Sequence, residues 1–309
     1  MNTFDLARTA VLALVLAASA ALAAPQPQRE PLVRAGATQK ASEHVFFIPD
    51  ESTPLVPNVG IVVGRDAALV IDTGLGERNG RTVLAEARRV APGRKLYLAT
   101  THFHPEHDLG ARAFPADTQM IRSADQERDI AEFGLQLAQT FASRSPANAE
   151  LLRGAAFRPA DLRFEGERRL DLGGVGVRIL AMGPNHTRGD TAFFVEPDGV
   201  LFSGDVVMRG QPAFASPYSN LGHWLASLDR LEALGPRLIV PSHGPTGDAS
   251  LIARYRSYLT AVRDRTAALK REGRSLEQAQ QAVTADLSRD YPDAGRLTGA
   301  IRAAYAEAP

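Results

Sequence analysis

The chain contains no cysteine. That excludes disulfides, a thiolate nucleophile, thiolate metal ligands and an acylated N-terminal cysteine. There is no excess of either charge, because 35 basic residues face 35 acidic ones and Lys and Arg form no dense run. Nucleic acid selects for a basic patch or stripe and is therefore not an expected partner. No Gly-x-Ser-x-Gly elbow occurs, so no serine nucleophile of that kind is indicated. Repeats at solenoid periods are also missing. What remains is ordinary for a soluble globular protein: 309 residues, enough to bury a substantial core, with 44% hydrophobic and 23% charged residues.

The N-terminus reads as a targeting segment. A short start ending at Arg8 leads into an uncharged Ala/Leu/Val stretch from Thr9 that closes on Ala21-Leu22-Ala23, a small-x-small site. That layout predicts a secretory signal peptide over residues 1–23, too short and wrongly flanked for a stable membrane span. A periplasmic or secreted location follows, with no stable span after cleavage. Residues 24–43 are polar and proline-containing and read as a loose leader.

From His44 onward the pattern alternates strands and helices, the signature of an α/β protein. Apolar β-branched runs at 59–63 and 67–71 predict strands, a helix is expected over 77–90, and 95–100 reads as a strand running into a histidine-rich segment. Residues 123–160 break this rhythm. Ser123 and Gln126 resemble a capping box, and Ile130, Phe133, Leu137 and Phe141 lie at helical spacing, which suits core packing or a lid over a site. Strands return from Leu162, a helix is expected over 221–234 and a short strand over 238–240. The tail from Asp248 is helical, with an apolar stripe of Leu251, Tyr255, Tyr258, Leu259 and Val262, and with Ser275 and Gln278 capping a second helix. The economical organisation is one domain over 44–250 and a helical extension over 251–309.

Seven histidines are present, and three of them, His102, His104 and His107, fall in the run His102-Phe103-His104-Pro105-Glu106-His107 at the end of a predicted strand. His186 and His243 each follow an apolar run in a Gly/Pro-rich turn. Neutral imidazoles suit zinc and related ions, and loops at strand ends can bring several to one point. Alternate residues of an extended segment point the same way, so His102 and His104 can reach one ion together. Glu106 and His107 then open the next helix. His44 and the pair His223-Trp224 read as structural, and Phe103 and Pro105 as shaping the loop.

These residues resemble the metallo-β-lactamase superfamily. Its His-x-His-x-Asp-His signature is matched by His102 to His107 with Glu106 in the Asp position. Ile71-Asp72-Thr73-Gly74, Gly183-Pro184-Asn185-His186, Phe202-Ser203-Gly204-Asp205 and Pro241-Ser242-His243-Gly244 match the other signposts in order. The resemblance implies an αββα sandwich with a two-metal site at one edge. His102, His104 and His186 would hold one zinc, and Glu106, His107 and His243 the other, with Asp205 between them. Glu106 is also a candidate base, and iron or manganese is an alternative to zinc. Asp72 would orient the ligands from behind, and Asp190 would either do the same or only shape its turn. Arg188, two residues after His186, suits either a substrate carboxylate or an exposed surface position. Two such ions generate hydroxide from water near neutral pH, so no side-chain nucleophile is needed.

The implied activity is opening of a small acyl substrate: an ester, lactone, β-lactam or thioester. The longer Glu106 bears on occupancy of the second metal. The absent cysteine separates the chain from those β-lactamases that bind a metal through one, and Asp205 is more like the lactonase and glyoxalase II branches. A β-lactamase proper, a mononuclear iron persulfide dioxygenase and a non-catalytic periplasmic metal- or ligand-binding protein are the competing readings. Oligomeric state is open.

Overall fold

The computed structural model describes residues 29–208, 215–289 and 294–309. The predicted signal peptide at 1–23 lies outside these residues.

Two sheets form the centre. The first runs in sequence order: β1 (Gln39–Lys40), β2 (Val45–Ile48), β3 (Val59–Val63), β4 (Ala67–Ile71), β5 (Lys95–Ala99), β6 (Gln119–Ser123) and β7 (Leu162–Phe164). The strands from β1 to β4 pair antiparallel, and β4 to β7 are parallel. Between them lie α1 (Gly76–Val90), the short α2 (Pro105–Asp108), α3 (Ala124–Asp129), α4 (Leu135–Ala142) and α5 (Pro146–Leu151). The second sheet has the order β12-β11-β10-β9-β8, built from β8 (Glu167–Asp171), β9 (Gly176–Ala181), β10 (Thr191–Val195), β11 (Val200–Gly204) and β12 (Leu238–Pro241). Helices α6 (Leu221–Glu232), α7 (Ser250–Arg271), α8 (Leu276–Leu287) and α9 (Ala294–Glu307) complete the chain.

The two-residue period of a strand sends alternate side chains to opposite faces, and both faces here are apolar. On β4, Leu69 and Ile71 enter the layer between the sheets, where they meet Phe193, Val195 and Phe202 of the second sheet. Ala68 and Val70 enter the other layer, against Val83 and Ala87 of α1. On β10, Ala192 and Phe194 point away from the sandwich toward Trp224 and Leu228 of α6. Helices therefore cover both outer faces, which is the expected αββα sandwich. The 251–262 stripe is buried in this last layer, so α7 packs onto the domain. Helix α9 is tied to α6 as well. The Glu307 carboxylate accepts from the backbone N–H groups of Leu221 and Gly222 at 2.6 and 3.0 Å, satisfying donors that a helix start leaves open.

Three sequence expectations change. The leader is packed where it is described. Val33 is buried, the Val33 N–H donates to Asn79 at 2.7 Å, and β1 adds an edge strand to the sheet ahead of His44. The Ser123 cap forms through its hydroxyl, but Gln126 does not close the box. Its amide instead donates to the Thr100 hydroxyl at 2.7 Å, a stronger use for a polar group in a dry interior. The helical stretch after Ser123 is broken by a π-turn at Ile130–Gly134. Among the described residues no helix is long and apolar enough to cross a membrane.

Candidate metal centre

The parallel part of the first sheet and the β11–β12 pair of the second end at the same edge. Asp72 follows β4, Thr100 to His107 follow β5, Asp205 follows β11 and His243 lies just past β12. The turn carrying His186 leaves β9 at that edge too. Groups on loops beyond the carboxyl ends of parallel strands converge in this way in open α/β sheets.

Three clusters of donor atoms form there, with atoms in each within 4.8 Å of one another: His102, His104 and His186; His102, His107 and Asp205; and Glu106, His107 and His243. The His186 Nε2 and His104 Nδ1 atoms are 3.2 Å apart. Asp205 reaches both halves, with Oδ2 3.5 Å from His186 Nε2 and Oδ1 4.0 Å from His243 Nε2. Glu106 Oε1 lies 3.9 Å from His107 Nε2, so the extra methylene still leaves the carboxylate within its cluster. Residues 101–104 are bent rather than extended. His102 and His104 converge because the chain folds over, their rings meeting edge to face at 4.6 Å.

Buried polar atoms are nearly always hydrogen-bonded. Four here have no partner: His102 Nε2, His107 Nε2, Glu106 Oε2 and Asp205 Oδ1. Each offers a lone pair once its group is deprotonated, as metal binding requires, and all belong to the clusters just described. The donor set of imidazoles and carboxylates suits zinc and other divalent ions, so these residues fit the two-metal arrangement that the sequence resemblance implies.

The opposite ring nitrogens are held. His107 Nδ1 bonds Asp72 Oδ2 at 2.9 Å, His102 Nδ1 lies 3.1 Å from the Thr101 hydroxyl, and His243 Nδ1 lies 3.1 Å from the Val56 carbonyl. Such contacts fix a ring's tautomer and aim its free nitrogen. Asp72 also accepts from the Thr101 N–H at 2.7 Å and adopts φ +68°, a left-handed conformation that Asp tolerates better than most residues. One aspartate thus bends the strand end and binds two parts of the histidine loop.

Burial and neighbouring charges set the protonation states. Burial, then the charges of neighbouring histidines, hold His102 and His104 well below the usual imidazole range, which keeps their lone pairs free. Burial also works against a charge on His107, but Asp72, Glu106 and Asp205 outweigh it and raise that imidazole to about 9. Burial pushes the Glu106 carboxyl up. It opposes the charge on Asp205 too, yet His243, His186 and His107 hold that carboxyl below its ordinary range.

Asp190 does not touch the donor atoms. It accepts from the Thr187 N–H at 3.0 Å and the Thr187 hydroxyl at 2.6 Å, and so shapes the turn after His186. Burial raises its carboxyl to about 7. This turn lies directly on α3: a methyl group on Gly189 would stand 2.3 Å from the Gln126 Cα, so no larger residue fits. The Arg188 guanidinium is already paired, lying 3.3 Å from Asp129 and 2.8 Å from Glu132 and stacked 4.6 Å over the Tyr218 ring.

Sequence reading missed three supports. The fully buried Arg122 grips Asp108, the residue after His107, through contacts of 2.8 Å, and Asp108 also accepts from Thr100 at 3.0 Å. Asn58 spans 183 residues in sequence to donate to the Pro241 carbonyl at 2.8 Å, while Asp50 accepts from Gly244 N–H at 2.8 Å; together they brace the His243 loop. The third is a cavity of about 430 Å³ beside His104, with Phe103, Phe133, Leu137, Pro217 and Tyr218 in its wall. Residues of the 123–160 segment thus wall the site.

Residues 52–243 match the family described as the metallo-beta-lactamase superfamily, which is more than half of the chain. The chain belongs to the metallo-β-lactamase superfamily. It is 30% identical over 219 residues to a human acyl-coenzyme A thioesterase, MBLAC2, covering 65% of this chain and 77% of that one. It is 25% identical over 220 residues to a linear primary-alkylsulfatase of a Pseudomonas species, covering 60% of this chain but 40% of that one. The structure superposes on a β-lactamase domain protein from Burkholderia ambifaria with a TM-score of 0.64 at 21% identity, covering 89% and 90% of the two chains. This chain is accordingly a metallo-hydrolase of the superfamily.

Proposed function

We propose that the chain is an exported, zinc-dependent hydrolase that opens a small acyl substrate, with esters and thioesters ahead of lactones and β-lactams. The observation that carries this is the set of four buried, unpartnered lone-pair atoms spread over two linked clusters. His102, His104 and His186 would hold one ion and Glu106, His107 and His243 the other, with Asp205 shared between them. A pair of divalent ions there would lower the pKa of water toward neutrality and polarise an acyl oxygen.

The protein's own residues do the positioning. Asp72 holds His107 and the Thr101 backbone in place, and Asp108, anchored by Arg122, holds the far end of the histidine loop. Val56 carbonyl, Asn58 and Asp50 fix the His243 loop. Tight positioning of this kind keeps the donors within the small tolerance that metal ligation allows. The relative named as a thioesterase supports the acyl assignment, and the alkylsulfatase adds sulfate esters to the substrates worth assaying. A mononuclear iron oxygenase would leave the Glu106, His107 and His243 cluster unused. Export rests on the layout of residues 1–23.

A substrate panel tests this reading. The zinc-loaded protein is expected to hydrolyse at least one of an aryl ester, an acyl thioester, a lactone, nitrocefin or an alkyl sulfate. Chelation should abolish that activity and zinc should restore it. Chelator-resistant turnover, or oxygen consumption with one iron per chain, would overturn it.

A further inference from the structure

The cavity beside His104 is walled mainly by apolar groups, and its charged lining consists of Asp129, Arg188 and Arg302. The first two pair with each other, and Arg188 also pairs with Glu132. Their charges are spent in holding the wall: Glu132 further accepts from the Tyr218 hydroxyl at 3.3 Å, and Tyr218 packs against Phe133 with ring centroids 5.2 Å apart. Arg302 is different. It is exposed, it lines the same cavity, and it has no carboxylate partner among the described residues.

Its place is fixed by the fold. Helix α9 carries it, and Glu307, later on that helix, is bonded to the start of α6. Gly299, one turn before Arg302, lies so close to residue 215 that a methyl group there would stand 2.5 Å from the Ala215 carbonyl oxygen. The helix is therefore pressed against the segment that supplies Pro217 and Tyr218 to the cavity wall. An uncompensated guanidinium at the border of an apolar cavity meets anions more strongly than one in open water, because the local dielectric is lower. Apolar pockets with a few placed polar groups are the usual form of a small-molecule site.

We propose that α9 supplies the anion-recognising residue of the substrate site: an apolar substrate arm fills the cavity and its carboxylate, sulfate or phosphate pairs with Arg302. This rests on the hydrolase reading, with the scissile group at the donor clusters beside His104. Substrate recognition thereby moves from Arg188, which is neutralised, to Arg302 in the C-terminal extension.

Two matched aryl esters test it: p-nitrophenyl octanoate, and the p-nitrophenyl monoester of octanedioic acid, which adds a terminal carboxylate. The wild-type zinc-loaded enzyme should favour the anionic ester in kcat/KM. Arg302→Ala should lower that anionic-to-neutral ratio roughly 10–100-fold, mostly through KM, as expected for loss of a charge-assisted contact. Arg302→Lys should restore part of it and Arg302→Glu should invert it. Calorimetric titration with 1-octanesulfonate and octanol gives a readout without turnover, and the sulfonate preference should vanish in Arg302→Ala. An unchanged ester ratio in Arg302→Ala overturns the proposal, as does equal sulfonate binding by both proteins or by neither. If neither ester is cleaved but sulfonate binding still depends on Arg302, the hydrolase reading fails and the anion site stands.

Discussion

Asp205→Asn is expected to lower kcat/KM by about a thousandfold, which corresponds to about 4 kcal/mol of lost transition-state stabilisation. Asparagine preserves the shape of the side chain, so the packing around β11 should survive. What disappears is the negative charge that reaches both clusters, with one oxygen near His186 and the other near His243. Burial penalises that charge, and the surrounding histidines hold it in place. Without it the buried imidazoles lose the carboxylate that links them, and the proposed pair of divalent ions would lose a shared anionic ligand. Asp190→Asn provides the comparison, since the Asp190 carboxylate accepts from the Thr187 N–H and hydroxyl and lies one step behind His186. Its effect on kcat/KM should be smaller by an order of magnitude or more, within the roughly 10–100-fold range of groups that only support a ligand. Equal losses in the two variants, with both folded, would contradict a linking role for Asp205.

Arg122→Ala should be the most destabilising single change near the site. Both Arg122 and Asp108 are fully buried, and the guanidinium also donates to Glu127 at 2.8 Å and to the Arg158 carbonyl at 2.6 Å. Removing one partner of such a pair leaves an uncompensated buried charge, at a cost of about 3–5 kcal/mol. In a protein of this size that corresponds to a fall in Tm on the order of 10 °C. The pH dependence has a definite sign. Burial already raises the Asp108 carboxyl against the opposing pull of Arg122, and without Arg122 it rises further. A folded-state pKa above the unfolded value makes the carboxylate form costly, so the deficit should grow as pH rises above the unfolded carboxylate range and shrink in acid. Arg122→Met with Asp108→Asn should recover part of the loss by removing both charges. Thermal unfolding at pH 5 and pH 8 checks this. A deficit that is equal at both values would show that the loss is one of packing, not of charge.

The candidate donor residues, which the fold does bring together, were legible because they are local. His102 to His107 form one short run, and Asp72, His186, Asp205 and His243 each sit in a turn straight after an apolar strand, where a sequence marks both the strand and its end. The helices over 76–90 and 221–232 were legible for the same reason, since one apolar stripe at helical spacing suffices. Short or edge strands were harder. Gln119–Ser123 has five residues and no alternation, and Glu167–Asp171 is largely charged on an edge. Supports that act over long range left no mark in the sequence. Nothing around Arg122 singles out Asp108, and nothing near Asn58 points to Pro241, because only the fold brings those groups together. Gln126 shows how a local rule yields to packing. Its spacing from Ser123 suits a capping box, yet a buried hydroxyl on Thr100 takes its amide instead. Arg188 was singled out by its place next to His186, and its two carboxylate partners come from a segment more than fifty residues earlier.

Metal content measured on the zinc-reconstituted wild-type chain after exhaustive dialysis tests the central claim most directly. Two ions per chain are expected, one for each cluster, with the loss of both accompanied by loss of hydrolysis. A chain that retains no divalent ion, or hydrolyses its substrate equally well without one, would contradict the account.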